Sequence, residues 1–172
     1  MRPVSRHGPR ERLPRVMTLP PFEAFLQEHR VSVFRLLHAM VGVQAAEDCF
    51  QETFLSALRA YPRLPKDANL RAWVLRIATN KAIDHLRASK RGAIPVAEVP
   101  ERPTDPALDG EPELWRAVRS LPPLQRAAVV QRYVFDLTYA EVGVALGCSE
   151  EAARANAYEG RRKLKEMWRS DA

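Results

Sequence analysis

The run Leu70-Arg-Ala-Trp-Val-Leu-Arg-Ile-Ala-Thr-Asn-Lys-Ala-Ile-Asp-His-Leu-Arg87 holds neither glycine nor proline and reads as one long helix. Leu75, Ala78, Ala82 and Leu86 recur at helical spacing and give it a buried side. Trp73, Arg76, Asn80, Asp84, Arg87 and Arg91 fall three or four apart on another side. A large aromatic, an amide and several guanidinium groups in one stripe suit nucleic acid, because bases offer π-faces and hydrogen-bonding edges and phosphates offer negative charge. The alternative is a solvated polar face with one tucked tryptophan.

The rest of the chain is read around this helix. A net charge of +6 over 172 residues favours a polyanionic partner. No run of about 18 apolar residues is present to span a membrane, and the N-terminus lacks the apolar core of a secretory signal. Cys49 and Cys148 lie far apart in apolar-periodic contexts, which predicts two buried free thiols in a reducing cytoplasm. No CxxC or HxxxH spacing suggests a metal. No GxxxxGK[ST], GxGxxG or GxSxG motif appears, and no nucleophile–base set points to an enzyme, so no cofactor is implied.

In chain order, residues 1–21 place Arg2, Arg6, Arg10, Arg12 and Arg15 among prolines, which predicts a disordered basic arm, with Met17 as an alternative start. Phe22, Phe25, Leu26, Val33, Phe34, Leu37 and Met40 predict a helix ending at Gly42. A second helix from near Gln44 to before Pro62 is expected to bury Cys49, Phe50, Phe54, Ala57, Leu58 and Tyr61. Its other side shows Asp48, Gln51, Glu52, Leu55 and Arg59, a poor surface for DNA. That side is either a solvated face or a docking face for a basic protein, with Leu55 as the apolar anchor. The positive loop 62–69, carrying Arg63 and Lys66, leads to the long helix, capped by Asp67 or Asn69. Residues 92–112 are proline-rich and acidic and predict a flexible linker, open to protease, between two separable domains.

Beyond it, a short helix from Leu114 to Leu121 stops at Pro122-Pro123, and a second runs from Leu124 to Phe135. Asp136 turns the chain, and Thr138 with Glu141 forms a capping box. Tyr139–Leu146, Gly147 as a positive-φ turn, and a last helix capped by Ser149 make a helix-turn-helix layout. Gly143 is small where the helices cross, Ala153 and Ala157 seat the second helix, and Glu151, Arg154, Ala155, Tyr158, Arg162 and Lys165 face outward. The fold class is therefore all-α: two small helical domains joined by a flexible linker, the second a helix-turn-helix domain.

Taken together, these residues resemble the extracytoplasmic-function (ECF) sigma factors of bacterial RNA polymerase. Ala46-Glu-Asp-Cys-Phe-Gln-Glu-Thr-Phe-Leu55 is similar to the family's clamp-binding segment, and Leu70–Asn80 with Ala82–Arg87 to its promoter-melting, −10-reading helix. Leu121-Pro-Pro-Leu-Gln-Arg126 and Tyr139-Ala-Glu141…Leu146-Gly147 are similar to region 4. The resemblance implies a region 2 domain over 22–91 and a region 4 domain over 113–172. It implies docking on the β′ clamp helices of core RNA polymerase through Asp48, Gln51, Glu52 and Leu55. Arg63, Lys66, Trp73, Arg76, Asn80, Lys81, Arg87 and Arg91 would open promoter DNA and hold the single-stranded non-template strand. Arg154, Ala155, Tyr158, Arg161, Arg162, Lys163 and Lys165 would bind the −35 duplex, with region 4 seated on the β flap. An anti-sigma factor is a possible further partner, and the expected place of work is the cytoplasm, with no membrane insertion. A departure from the family is the last helix: the family's is usually rich in Ser, Arg and Lys after its cap, and here Glu150, Glu151 and Glu159 add negative charge. The alternative function is a stand-alone helix-turn-helix regulator binding duplex operators as a dimer.

Overall fold

The computed structural model describes residues 18–92 and 112–170. The expected basic arm and most of the expected linker lie outside them. Among the described residues every regular element is helical. Helices α1 (Phe22–Val41), α2 (Val43–Ala60) and α3 (Leu70–Arg91) pack mutually and form the first domain. Helices α4 (Pro112–Ser120), α5 (Pro123–Val129), α6 (Tyr139–Leu146) and α7 (Glu150–Ser170) form the second.

Local chemistry sets most boundaries. Gly42, at φ 81°, is the single hinge residue between α1 and α2. Asn69 caps α3 by accepting the Ala72 N–H at 3.1 Å. Thr138 and Glu141 close a reciprocal capping box on α6, and Ser149 accepts the Ala152 N–H at the start of α7. Gly147 takes the left-handed conformation, φ 67°, that ends α6. Gly143 lies where α6 meets the turn: a Cβ there would stand 2.9 Å from the Cys148 carbonyl oxygen.

The core of the first domain is aromatic at one end. Phe25 sits among Phe22, Tyr61, Trp73 and Phe54, with ring centroids 5.0–6.3 Å apart. The Tyr61 hydroxyl donates to the Pro20 carbonyl at 2.7 Å and ties the entering chain to this cluster.

Four expectations change. Leu58 was expected inside and is half exposed. The inner arc of α2 centres on Ala46, Cys49, Thr53 and Ala57, small residues that a hydropathy pattern underrates, and Leu58 falls at its edge. Cys148 was expected to be buried and is exposed in the turn of the helix-turn-helix. The expected helix from Leu124 to Phe135 is α5 followed by a π-helical turn over Val130–Val134, where the Phe135 N–H reaches back to the Val130 carbonyl. Asp136 then takes φ 54°, reversing the chain.

The largest difference is between the domains. They do not stand apart: one continuous hydrophobic core runs from Phe25 and Leu75 through Val130 and Leu137 to Ala157. The α6 helix lies on α3, and α4 and α5 touch α1. Polar contacts seal the seam. Arg126, buried, donates to the Met40 carbonyl at the end of α1 as well as to Leu121 and Arg119. Gln131 Nε2 donates to Thr79 Oγ1 at 2.9 Å, and Arg71 to the Phe135 carbonyl at 2.9 Å. Burial and the neighbouring Arg119 push the Arg126 guanidinium pKa down, and carbonyl oxygens alone satisfy it in the bonds above.

Candidate nucleic-acid interface

Three surfaces emerge from this packing. The first is the outer side of α2, where Asp48, Gln51, Glu52 and Leu55 are all exposed. Leu55 is 54% exposed, an apolar side chain in the middle of this acidic face. Inside the same helix, burial and the acids Glu52 and Asp48 push the Cys49 thiol up, so it stays protonated and inert.

The second surface is the polar side of α3 with the loop before it. Arg63, Lys66, Arg76, Asn80, Arg87 and Arg91 are exposed. Trp73 is different. Its ring packs 5.7 Å from Phe25 and 6.2 Å from Tyr61, so much of the indole belongs to the core and only part of it remains on the stripe. Lys81 is partly buried and pairs with Glu52 of α2 at 3.8 Å, which joins the acidic face to the basic one.

The third surface is α7 with its flank. Arg154, Ala155, Tyr158, Arg161, Arg162 and Lys165 are exposed, and Lys163 is partly buried. Two of the acids that set this helix apart, Glu150 and Glu159, are engaged within it. Glu150 holds Arg154 at 2.8 Å, and Arg162 is bound by both Glu159 and Glu166, which raises its pKa. Sequence reasoning missed Arg132, Tyr133 and Tyr139 beside this helix. Arg132 lies over both rings, Arg154 stacks on Tyr139 at 5.1 Å and Arg161 on Tyr133 at 5.9 Å. The alternation is invisible in sequence because it crosses three elements.

Two helical units, a helix-turn-helix in the second, and acidic and basic faces on different helices are the features to be matched. Comparison with known proteins fixes the class. The sigma-70 region 2 family matches residues 25–92, and sigma-70, region 4 matches residues 112–164. The chain is 34% identical over 155 residues to the RNA polymerase sigma factor CarQ of Myxococcus xanthus, covering 85% of this chain and 88% of that one. It is 33% identical over 161 residues to the ECF RNA polymerase sigma factor SigE of Mycolicibacterium smegmatis, covering 86% of this chain but spanning only 62% of the relative. Its fold is similar to that of the sigma factor RpoE solved with the anti-sigma factor NepR from Bartonella quintana, at a TM-score of 0.74 and 19% identity over 88% of this chain and 98% of that one. It is also similar to CnrH in complex with the cytosolic domain of CnrY, at a TM-score of 0.68 and 22% identity over 88% and 89%.

The chain belongs to the ECF RNA polymerase sigma factors. Sigma factors of this family direct transcription initiation together with core RNA polymerase on promoter DNA. The match to region 2 as well as region 4 disfavours the stand-alone operator-binding regulator. Among the described residues, no helix is long and apolar enough to cross a membrane.

Proposed function

We propose that this chain assigns its three surfaces to three steps of initiation. The α2 face docks on the β′ clamp helices through Asp48, Gln51, Glu52 and Leu55. The α3 stripe and the 62–69 loop open the −10 region and hold the non-template strand. Arg76 and Asn80 supply the polar contacts, Lys81, Arg87 and Arg91 the phosphate track, Arg63 and Lys66 the positive loop, and Trp73 the stiff border of the pocket. The α7 helix binds −35 duplex through Arg154, Ala155, Tyr158, Arg161, Lys163 and Lys165, with region 4 on the β flap. Arg162, held by two glutamates, serves last, after its pairs exchange for phosphate. The chain works in the cytoplasm, beside the polymerase, and an anti-sigma protein is a third partner.

The observation that carries the reading is the exposed α2 face. A protein of net charge +6 keeps an acidic, leucine-centred stripe exposed, with Lys81 pairing to Glu52 at its edge, and DNA binding alone gives that stripe no use. Separating a base pair costs a few kcal/mol, and a stacking or hydrogen-bonded pocket offsets that cost. Run-off transcription from a pool of genomic promoter fragments, with purified core polymerase, is the test. Discrete transcripts that need this chain are expected; an identical pattern without it overturns the proposal.

A further inference from the structure

Charge and ring alternate through five side chains beside α7. Arg154, Tyr139, Arg132, Tyr133 and Arg161 follow one another, each guanidinium carbon 5.1–6.0 Å from the next ring centroid. Three cations this close repel unless something holds them. Here the rings offer their negative π-faces. Two acids add to this: Asp136 pairs with Arg132 at 3.1 Å and Glu150 with Arg154 at 2.8 Å.

Arg132 anchors the series. It lies in the π-helical turn, and its Nη1 also donates to the Leu137 carbonyl at 3.2 Å, just before α6. Its Nε is buried without an acceptor among the described residues, so the rings supply its remaining contacts. Tyr139 opens α6 and has Arg132 and Arg154 at 5.2 and 5.1 Å from its ring. A guanidinium stacked on a ring loses rotamer freedom but keeps its N–H edges for hydrogen bonding.

Glu150 is the first residue of α7 and Arg154 follows one turn later, both exposed. The N-terminal residues of the second helix face base edges in a helix-turn-helix. A G·C pair shows two acceptors there, guanine O6 and N7, and one donor, the cytosine amino group. A guanidinium and a carboxylate side by side match that set. Adenine puts an amino donor where guanine has O6, which opposes the second guanidinium donor.

We propose that Glu150 and Arg154 form one reader for a G·C pair in the −35 duplex, with Tyr139 and Arg132 as positioning residues that fix its aim; this rests on the assignment of α7 to that duplex. The acid at the start of the helix is then half of a base-pair contact, and Arg161, held by Tyr133 two turns on, meets phosphate.

The test uses holoenzyme, the full chain with core polymerase, and a promoter fragment from the run-off pool with its −35 region randomised. The unaltered chain is expected to enrich G·C over A·T at one position about tenfold, the discrimination of one bidentate contact. Guanine replaced there by 7-deazaguanine should lose that advantage. Arg154→Ala should abolish the preference, and Glu150→Ala should reduce it. Tyr139→Leu should reduce it at that position alone, Tyr139→Phe should keep it, and Tyr139→Leu added to Arg154→Ala should cost nothing more. Arg132→Met gives the same reading where Tyr139→Leu lowers the thermal midpoint. Glu150→Ala that raises affinity without altering base preference overturns the proposal, as does an equal loss at every −35 position in Tyr139→Leu and Arg132→Met. Failure of the −35 assignment is distinguishable: the unaltered chain then selects no −35 sequence, whereas failure of the positioning role leaves selection intact in Tyr139→Leu and Arg132→Met.

Discussion

Gln131 donates from Nε2 to Oγ1 of Thr79 at 2.9 Å, and neither side chain reaches solvent. One residue belongs to the helix-turn-helix domain and the other to α3, so the bond crosses the seam in a low-dielectric setting. Thr79 passes the interaction on by donating to the Leu75 carbonyl at 2.7 Å. A buried amide of this kind contributes little net energy while paired and becomes costly when its partner is removed.

Thr79→Val should therefore destabilise the chain by about 1–3 kcal/mol, because the Gln131 amide loses its acceptor. Urea denaturation of the full chain measures it. Adding Gln131→Leu should recover part of the loss, since both polar groups then leave together. A double variant as unstable as the sum of the singles contradicts the pairing.

Gly143→Ala should cost about 1–3 kcal/mol, since its Cβ would stand 2.9 Å from the main-chain oxygen of Cys148 and the turn has to shift. Gly42→Ala meets nothing within 4 Å and strains only its φ of 81°, so its cost should be about 1–2 kcal/mol. Thermal unfolding compares the two. A Gly143→Ala protein of unchanged midpoint argues against tight packing at the helix crossing.

Local signals made much of this legible from sequence. The capping box at Thr138 and Glu141, the left-handed Gly147, the Asn69 cap and the small seats Ala153 and Ala157 are each fixed by chemistry within a few residues. The seam was not legible, because its bonds join residues dozens of positions apart and use Thr79, Gln131, Arg71 and Arg126, polar residues that read as surface in any helix. Trp73 was half legible: its spacing put it on the polar stripe, but a large ring at a helix start also fills the nearest gap, here beside Phe25 and Tyr61. Leu58 misled because the inner arc of α2 is lined by Ala46, Thr53 and Ala57.

Acid should weaken the fold in two windows. Burial lowers the His29 pKa from about 6.5, with Glu28 opposing that shift and Arg71 reinforcing it. The unfolded chain then binds the extra proton first, so stability falls as pH drops below about 6.5 and levels off below the folded pKa. Glu141 has the opposite identity and the same direction. Its carboxyl is held low by the Thr138 N–H and hydroxyl, so its contribution is present above about 4.5 and is lost as pH falls through the folded value. Urea midpoints at pH 7.5, 5.5 and 4.0 separate the two, and His29→Asn should flatten only the upper window.

Asp48→Lys with Glu52→Lys should reduce capture of core polymerase by about tenfold or more while leaving the thermal midpoint within a few degrees. Both carboxylates are exposed, and the Glu52–Lys81 pair is a surface pair worth at most about 1 kcal/mol. Pull-down with purified core enzyme measures the first effect and differential scanning calorimetry the second. Full retention of capture removes the α2 face from the docking model.

Asn80 and Arg76 carry the most specific expectation. Both are exposed one turn apart on a rigid helix whose opposite side is locked in the core by Leu75, Ala78 and Ala82. The Asn80 amide offers a donor and an acceptor to a base edge, and the Arg76 guanidinium offers charge to a phosphate. A protein that favours the open promoter has to bind the extruded strand better than the duplex, so removing either contact should raise the cost of opening without touching the fold. Asn80→Ala is expected to keep core affinity and thermal stability and to cut open-complex formation on duplex promoter about tenfold, the loss of about 1.4 kcal/mol. Arg76→Ala should do the same. Permanganate footprinting reads opening on duplex and on a pre-melted bubble. Rescue on the bubble marks a defect in opening, and a persistent loss marks one in base recognition. Unfolding of both variants, or unaltered footprints, returns this stripe to a structural role.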